Sequence, residues 1–321
     1  MNALRRTAGL TAVLVFGMIV LGGVVRTTNS GLSCPDWPTC YGHWLPLPSL
    51  VDEVPNIGYD YYQIMLEWVH RLIGGMILGP LTLVVAWLGW RNRELHPRLA
   101  PSVMLMVLLL VVQGLLGGLT VLDRNSPWSV ALHLGNALIL LVVVLGIHDA
   151  ARRREPGTLA APGWIRPTAL VAMVTGLLAM MSAAITAKSG ASLACYTWPA
   201  CNGGLVPDWS DGGEVIHMIH RYLAAAFAIA LLTLLVGCLR DGRVPQEVRR
   251  QSLVTALLVL VQVGFGALVI VLEVPIWKAV LHQATGVLTF ALVSDLFWRA
   301  RSTAAASSHH LPGGIRAAGL R

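Results

Sequence analysis

Eight apolar runs, each long enough to cross a bilayer as a helix, constrain this chain more than any other feature. A hydrocarbon core of roughly 30 Å takes about 20 helical residues, and such runs begin at Gly9, Tyr62, Val103, Trp128, Thr168, Val215, Leu253 and Ile276. Only 12% of the 321 residues are charged and the mean hydropathy is +0.68, outside the composition of a soluble domain. The expected fold is an all-α integral membrane protein of eight transmembrane helices. The first run follows Arg5 and Arg6 as in a signal peptide. No small-residue cleavage site follows it, however, and the repeat described next requires it, so it is expected to remain as a helix.

Of the 23 Lys and Arg residues, 17 fall in the N-terminus, loops 2, 4 and 6 and the tail. By the positive-inside rule these segments and both termini are cytoplasmic. The net charge of +7 then reflects topology and anionic lipid head groups, because no basic stripe with interleaved aromatics points to nucleic acid. Loops 1 and 5, from about Thr27 to Tyr61 and from Lys188 to Glu214, lie outside. The chain is expected in the cell (inner) membrane.

A tandem repeat organises the spans. Glu67-Trp-Val-His70-Arg71 matches His217-Met-Ile-His220-Arg221 at an offset of 150. Leu132-His133 matches Leu281-His282 at 149, as do Gln113 with Gln262 and Gly117 with Gly266. Because each copy holds four spans, both enter the membrane in the same sense. The halves are expected as four-helix bundles, residues 1–150 and 151–321, related by a pseudo-twofold axis along the membrane normal. Their linker, Asp149 to Arg166, carries Pro156, Gly157, Pro162 and Gly163. The tail from about residue 302 reads as disordered.

Ionisable residues within a span cost of order 2.5 to 3.5 kcal/mol on insertion scales and face the bundle interior for a reason. His70, His133, His220 and His282 each sit in the first third of a helix that runs inward, at similar depth near the outer face. Two imidazoles at matched depth on neighbouring helices suit bis-histidine ligation of a haem iron, one site per half. Zinc would want a third protein ligand, which the outer ends of helices 4 and 8 do not offer. A lone membrane histidine often only hydrogen-bonds across helices; the repetition of two pairs in register favours ligation. Gly74, Gly114, Gly117, Gly118, Gly264 and Gly266 would leave room for a macrocycle, or simply allow close helix packing. His43, His96, His148, His309 and His310 lie in loops, at helix ends or in the tail and receive no site role.

The halves differ where Glu67 stands against His217. A carboxylate three residues before one ligand, absent beside the other, suits a proton acceptor or donor in the first half; pairing with Arg71 alone is the plainer reading. Arg26, Arg71 and Arg221 are placed to meet haem propionates, although snorkelling arginines look the same in sequence. Cys34 with Cys40 and Cys195 with Cys201 each enclose a Trp-Pro on the oxidising side, where two disulfides are expected. The first pair could also be redox-active. Cys238 reads as a small apolar residue.

Taken together, Glu67-Trp-Val-His70-Arg71, Leu132-His133-Leu-Gly-Asn136, Ile219-His220-Arg221, Leu281-His282-Gln-Ala-Thr-Gly286 and the two cysteine pairs resemble the haem A synthase family. The resemblance covers the chain to about Arg301. It implies a membrane oxidoreductase for cytochrome oxidase assembly, with substrate haem O near Glu67, His70 and His133 and cofactor haem b between His220 and His282. The porphyrin C8 methyl would be hydroxylated twice and lose water to become a formyl group. The resemblance also associates Glu67 and the pair Cys34 and Cys40 with activity. Candidate partners are a haem O synthase, an external electron-transfer partner and a second copy of the chain. A di-haem b electron-transfer protein without substrate chemistry is the competing class, and the single depth of all four ligands argues against it. A membrane thiol-disulfide oxidoreductase would leave the histidines unexplained.

Overall fold

The computed structural model describes residues 1–50, 58–152 and 161–308, the last eight of these as backbone. Eight long helices follow one another: α1 (Asn2–Thr27), α2 (Tyr61–Arg91), α3 (Leu99–Leu122), α4 (Pro127–Ala150), α5 (Ile165–Lys188), α6 (Gly212–Arg240), α7 (Gln246–Val271) and α8 (Ile276–Ser308). All eight are long and apolar enough to span a membrane, and the chain is a multi-pass membrane protein. Among the described residues there are no strands, only two isolated bridges, Cys40 with His43 and Cys201 with Gly204.

Most helices start before the apolar runs do, because hydrogen bonding continues past the hydrocarbon edge where polar side chains cap the ends. Ser126 accepts the Ser129 amide at the start of α4, just before Pro127. Asp211 accepts the Gly213 and Glu214 amides at the start of α6. The basic linker is shorter than its sequence suggests, since α4 runs to Ala150 and α5 begins at Ile165; Pro156 and Gly157 lie outside the described residues. At the other end α8 continues to Ser308, past residue 302, and residues 309–321 are likewise outside the described set.

Helix α2 is not uniform. Between Ile73 and Leu78 it widens into a π-helix, in which the Gly79 amide bonds the Gly74 carbonyl five residues back. The cause is local: Pro80 has no N–H to give to Met76, its ring would strike that carbonyl, and Gly74-Gly75 leaves the backbone free to widen. The corresponding stretch of α6 is unbroken α-helix.

Helices α1, α4, α5 and α8 pack together at the centre, with α2 and α3 flanking on one side and α6 and α7 on the other. Within its most apolar window α4 is 61% buried against 17% for α3, so α4 is the axis of the bundle and α3 a lipid-facing wall. Lipid tails are as apolar as side chains, so close approach through small residues has to supply the cohesion. Gly146 faces the Trp298 ring so closely that a Cβ there would lie 2.7 Å from it, and the indole N–H donates to the Val142 carbonyl at 2.8 Å. Gly135 receives Met181 in the same way. At the arginine-rich end Arg98 pairs with the buried Asp149 at 3.4 Å, and Arg299 with Asp295 at 2.7 Å.

Candidate functional site

The four histidines occupy corresponding places in their helices. They are the tenth residue of α2, the seventh of α4, the ninth of α6 and the seventh of α8, roughly 10–15 Å below the disulfide loops at 1.5 Å rise per residue. His220 and His282 face each other with ring centroids 6.5 Å apart and planes at 86°. Two imidazoles on opposite sides of one metal, each bonded at about 2.0–2.1 Å, have centroids roughly 6.3 Å apart. His220 Nδ1 donates to the Ala179 carbonyl at 3.1 Å and His282 Nδ1 to the Gln262 carbonyl at 3.1 Å. Those bonds fix the proton on Nδ1 and leave the lone pair on each Nε2, the arrangement typical of ligating histidines; the Gln262 amide approaches His282 Nε2 at 3.4 Å. The donor set and its spacing fit a haem iron.

On the other side, His133 meets the Gln113 amide nitrogen at 3.2 and 3.3 Å, and Gln113 is held in turn by Asn136, whose amide donates to its Oε1 at 2.6 Å. His70 hydrogen-bonds the Met18 carbonyl of α1 and lies within electrostatic reach of His133. Glycines bound both sites. A Cβ on Gly117 would lie 3.4 Å from the His133 ring, one on Gly266 3.0 Å from the His282 ring, and one on Gly22 3.3 Å from His70 Nε2. Gly114 and Gly264, by contrast, face open space. Among the described residues no three His, Cys, Asp or Glu side chains converge as a metal cluster.

Glu67 is buried, 4% exposed, and its carboxylate turns toward the first outer loop. It accepts from the Cys34 amide at 2.8 Å, from Ser33 Oγ at 3.0 Å and from Arg71 at 2.6 Å. His217, equally buried, meets the Cys195 amide through Nδ1 at 3.4 Å and hydrogen-bonds the Ala191 backbone carbonyl. The two residues thus occupy the same station beneath the first cysteine of each pair, one as a charged acceptor of three bonds and the other as an imidazole between two backbone groups. Both expected disulfides are present, Cys34–Cys40 and Cys195–Cys201. Trp37 of the first loop reaches down to Gly118, the neighbour of Gly117 on α3, so that loop covers the His133 side of the site. Asp36 braces it by accepting from the Tyr41 and Gly42 amides and the Thr39 hydroxyl. Burial pushes the Asp36 carboxyl up, but these donors outweigh it and hold the group below its ordinary range.

Arg71 is committed to the loop. It donates to the carbonyls of Cys34, Asp36 and Thr39 besides Glu67, and Arg221 likewise reaches those of Cys195, Pro199 and Ala200. Arg26 instead crosses to α8, donating to Gln283 Oε1 at 3.1 Å while the Gln283 amide donates to the Ile19 carbonyl at 2.7 Å. It lies within electrostatic reach of His282 and of Lys188 at the end of α5, which sets it beside the His220–His282 pair rather than beside His70 and His133. The side chains beyond the expected set are Ser33, Gln113, Ser182, whose hydroxyl lies 3.2 Å from His220 Nδ1, Lys188, Gln262 and Gln283. Of these, Gln113 and Gln262 stood out in their repeat match and Gln283 within the Leu281–Gly286 motif; the others had no signal.

Fold and site together define a multi-pass helical membrane protein whose paired histidines lie half-buried at the end that carries the disulfide-closed loops. The chain belongs to the COX15-CtaA family, described as cytochrome oxidase assembly protein, whose sequence profile matches residues 5–294. It is 29% identical over 316 residues to a haem A synthase of Geobacillus thermodenitrificans, covering 95% of each chain. Similar proteins of the same name occur in Caulobacter sp. strain K31, at 28% identity over 91% of this chain and 94% of that one, and in Shewanella oneidensis, at 29% over 92% and 96%. The resemblance carried by the sequence motifs is thereby borne out.

Proposed function

We propose that this chain is a haem A synthase, a membrane oxidoreductase that converts the C8 methyl group of haem O to a formyl group for cytochrome oxidase assembly. The observation that carries the reading is relatedness over more than nine-tenths of both chains to proteins bearing that name. In this reading haem O is the substrate of the site formed by His70 and His133, beside Glu67. His220 and His282 hold a resident haem b, which supplies one-electron redox capacity when bound. The asymmetry between Glu67 and His217 supports this division of labour: only the first site has a carboxylate that can hold or move a proton at its edge. Gln113, steadied by Asn136, orients His133, and the Nδ1 bonds of His220 and His282 keep their Nε2 atoms aimed inward. Trp37 and the disulfide loop limit water access from above.

The same reading places both termini in the cytoplasm, the histidine sites near the outer face, and the two repeat copies about an axis along the membrane normal. The test is conversion of added haem O by the purified protein, with extracted pigments separated by chromatography. A formyl-bearing product is expected, and labelled water compared with labelled dioxygen would identify the oxygen source. Recovery of haem b alone with haem O unchanged would refute the reading and favour a di-haem electron-transfer protein.

A further inference from the structure

At the arginine-rich end, far from the four paired histidines, an open cleft of about 430 Å³ lies where the start of α1 meets the end of α4, lined by Arg5, Arg6, Gly9, Leu10, His148 and Arg152. Its volume falls in the range of small-ligand sites, about 300–1,000 Å³. We propose that this cleft binds the phosphodiester head group of an anionic phospholipid of the cytoplasmic leaflet.

Three guanidinium groups converge on it. Arg5 and Arg6 are exposed, and among the described residues neither has a carboxylate within ion-pair distance. Arg152 pairs with Asp295 at 3.7 Å and contacts His148 Nε2 at 3.3 Å. His148 Nδ1 donates to the Arg5 carbonyl at 2.9 Å, which makes Nε2 an acceptor from Arg152 and ties the end of α4 to the start of α1. Gly9 permits this approach, since a Cβ there would lie 3.2 Å from the imidazole. Arg5 and Arg6 thus bring two exposed guanidinium groups to the cleft, and guanidinium forks match phosphate oxygens.

A lipid, rather than free phosphate, is favoured by what lies beside the charges. Leu10 and Val13 are 52% and 66% exposed and, with exposed Gly17, follow Arg6 at helical spacing along the membrane face of α1. That strip lets an acyl chain run down the helix from a head group held at the cleft.

The full-length protein, stripped of lipid in detergent, would be titrated separately with phosphatidylglycerol, phosphatidylcholine and inorganic phosphate, and adducts counted by native mass spectrometry. Phosphatidylglycerol should be retained and the other two should not. Arg5→Gln with Arg6→Gln should weaken retention on the order of 10- to 30-fold, whereas Arg240→Gln with Arg250→Gln, at the same end but outside the cleft, should leave it unchanged. Arg5→Lys with Arg6→Lys keeps the charges that set insertion and loses only the fork, and about threefold weakening is expected. Equal retention of phosphatidylcholine, equal binding of phosphate alone, an equal loss in the control pair, or unchanged binding in the lysine variant would overturn the assignment.

Discussion

Replacing Glu67 by Gln removes a charge while preserving the volume of the side chain, so its effect isolates the bonds that tie α2 to the first disulfide loop. The carboxylate serves three donors. Ser33 Oγ has other acceptors at hand in the Ser30 and Gln63 carbonyls, and Arg71 keeps three loop carbonyls. The Cys34 amide has no such alternative, and one amide face of Gln must now point a donor at a donor. A charge-assisted bond is worth about 1.5–3 kcal/mol and an orphaned buried group costs about 1–3 kcal/mol, so partial loss of both comes to about 2–4 kcal/mol. His217→Gln gives up a 3.4 Å contact and a bond to the Ala191 carbonyl, both of which an amide can replace, and should cost about 1 kcal/mol or less. At about 2–4 °C per kcal/mol, the first variant should lower the apparent melting midpoint by roughly 5–15 °C and the second hardly at all. Tryptophan fluorescence on heating in detergent reads the midpoint, and the rate of phosphine reduction of Cys34–Cys40, trapped by alkylation, reads the loop itself. Equal midpoints and equal reduction rates for Glu67→Gln and the parent would refute the reasoning.

Further outcomes follow from the same geometry. His282→Ala should abolish the low-spin optical signal of a bis-histidine haem, while Gly266→Ala, whose Cβ would press within 3.0 Å of that ring, should shift the signal without removing it. An unchanged spectrum in His282→Ala would refute the ligand assignment. Because the Asp36 carboxyl is held below its ordinary range, its contribution to the loop is present above its unfolded value, about pH 4, and is lost as pH falls through the lowered folded value. Phosphine reduction of Cys34–Cys40 should therefore be flat in its loop-opening component from pH 5 to 8 and accelerate below about pH 4, and Asp36→Asn should be fast throughout. Gly146→Ala, driven against the Trp298 ring, should destabilise the bundle by about 1–3 kcal/mol, whereas Gly114→Ala, facing open space, should be neutral or slightly stabilising in a thermal melt.

The spans, the cysteine pairs and the matched histidines were legible because each rests on a short-range regularity: an apolar run near bilayer thickness, a six-residue spacing, a register repeated along the chain. The apolar runs begin inside their helices, at Val103 in α3 and Leu253 in α7, which start at Leu99 and Gln246, because hydropathy marks the hydrocarbon edge and hydrogen bonding does not stop there. The setting of Glu67 was only half visible. Its proximity to Arg71 follows from helical spacing, but its bonds to Ser33 and Cys34 join segments more than thirty residues apart. Arg26 shows the same limit, since nothing local to α1 announces that its side chain ends beside α8.

The π-helical turn of α2 accounts for a discrepancy in the repeat itself. The offset between matched residues falls from 150 at His70 and His220 to 149 at Gln113 and Gln262, so the first copy holds one residue more in between. From the histidine to the end of its helix there are 21 steps in α2 (91 − 70) and 20 in α6 (240 − 220), while from helix end to glutamine both copies take 22 (113 − 91 and 262 − 240). The surplus residue therefore sits in the stretch that widens. A turn closed by bonds five residues back holds about one residue more than an α-turn, so the widening absorbs the surplus residue and returns the helix beyond it to nearly the same face. The extra length is thus confined to one widened turn, and neither the ligand-bearing top of α2 nor its lower half has to turn away from its neighbours to carry it.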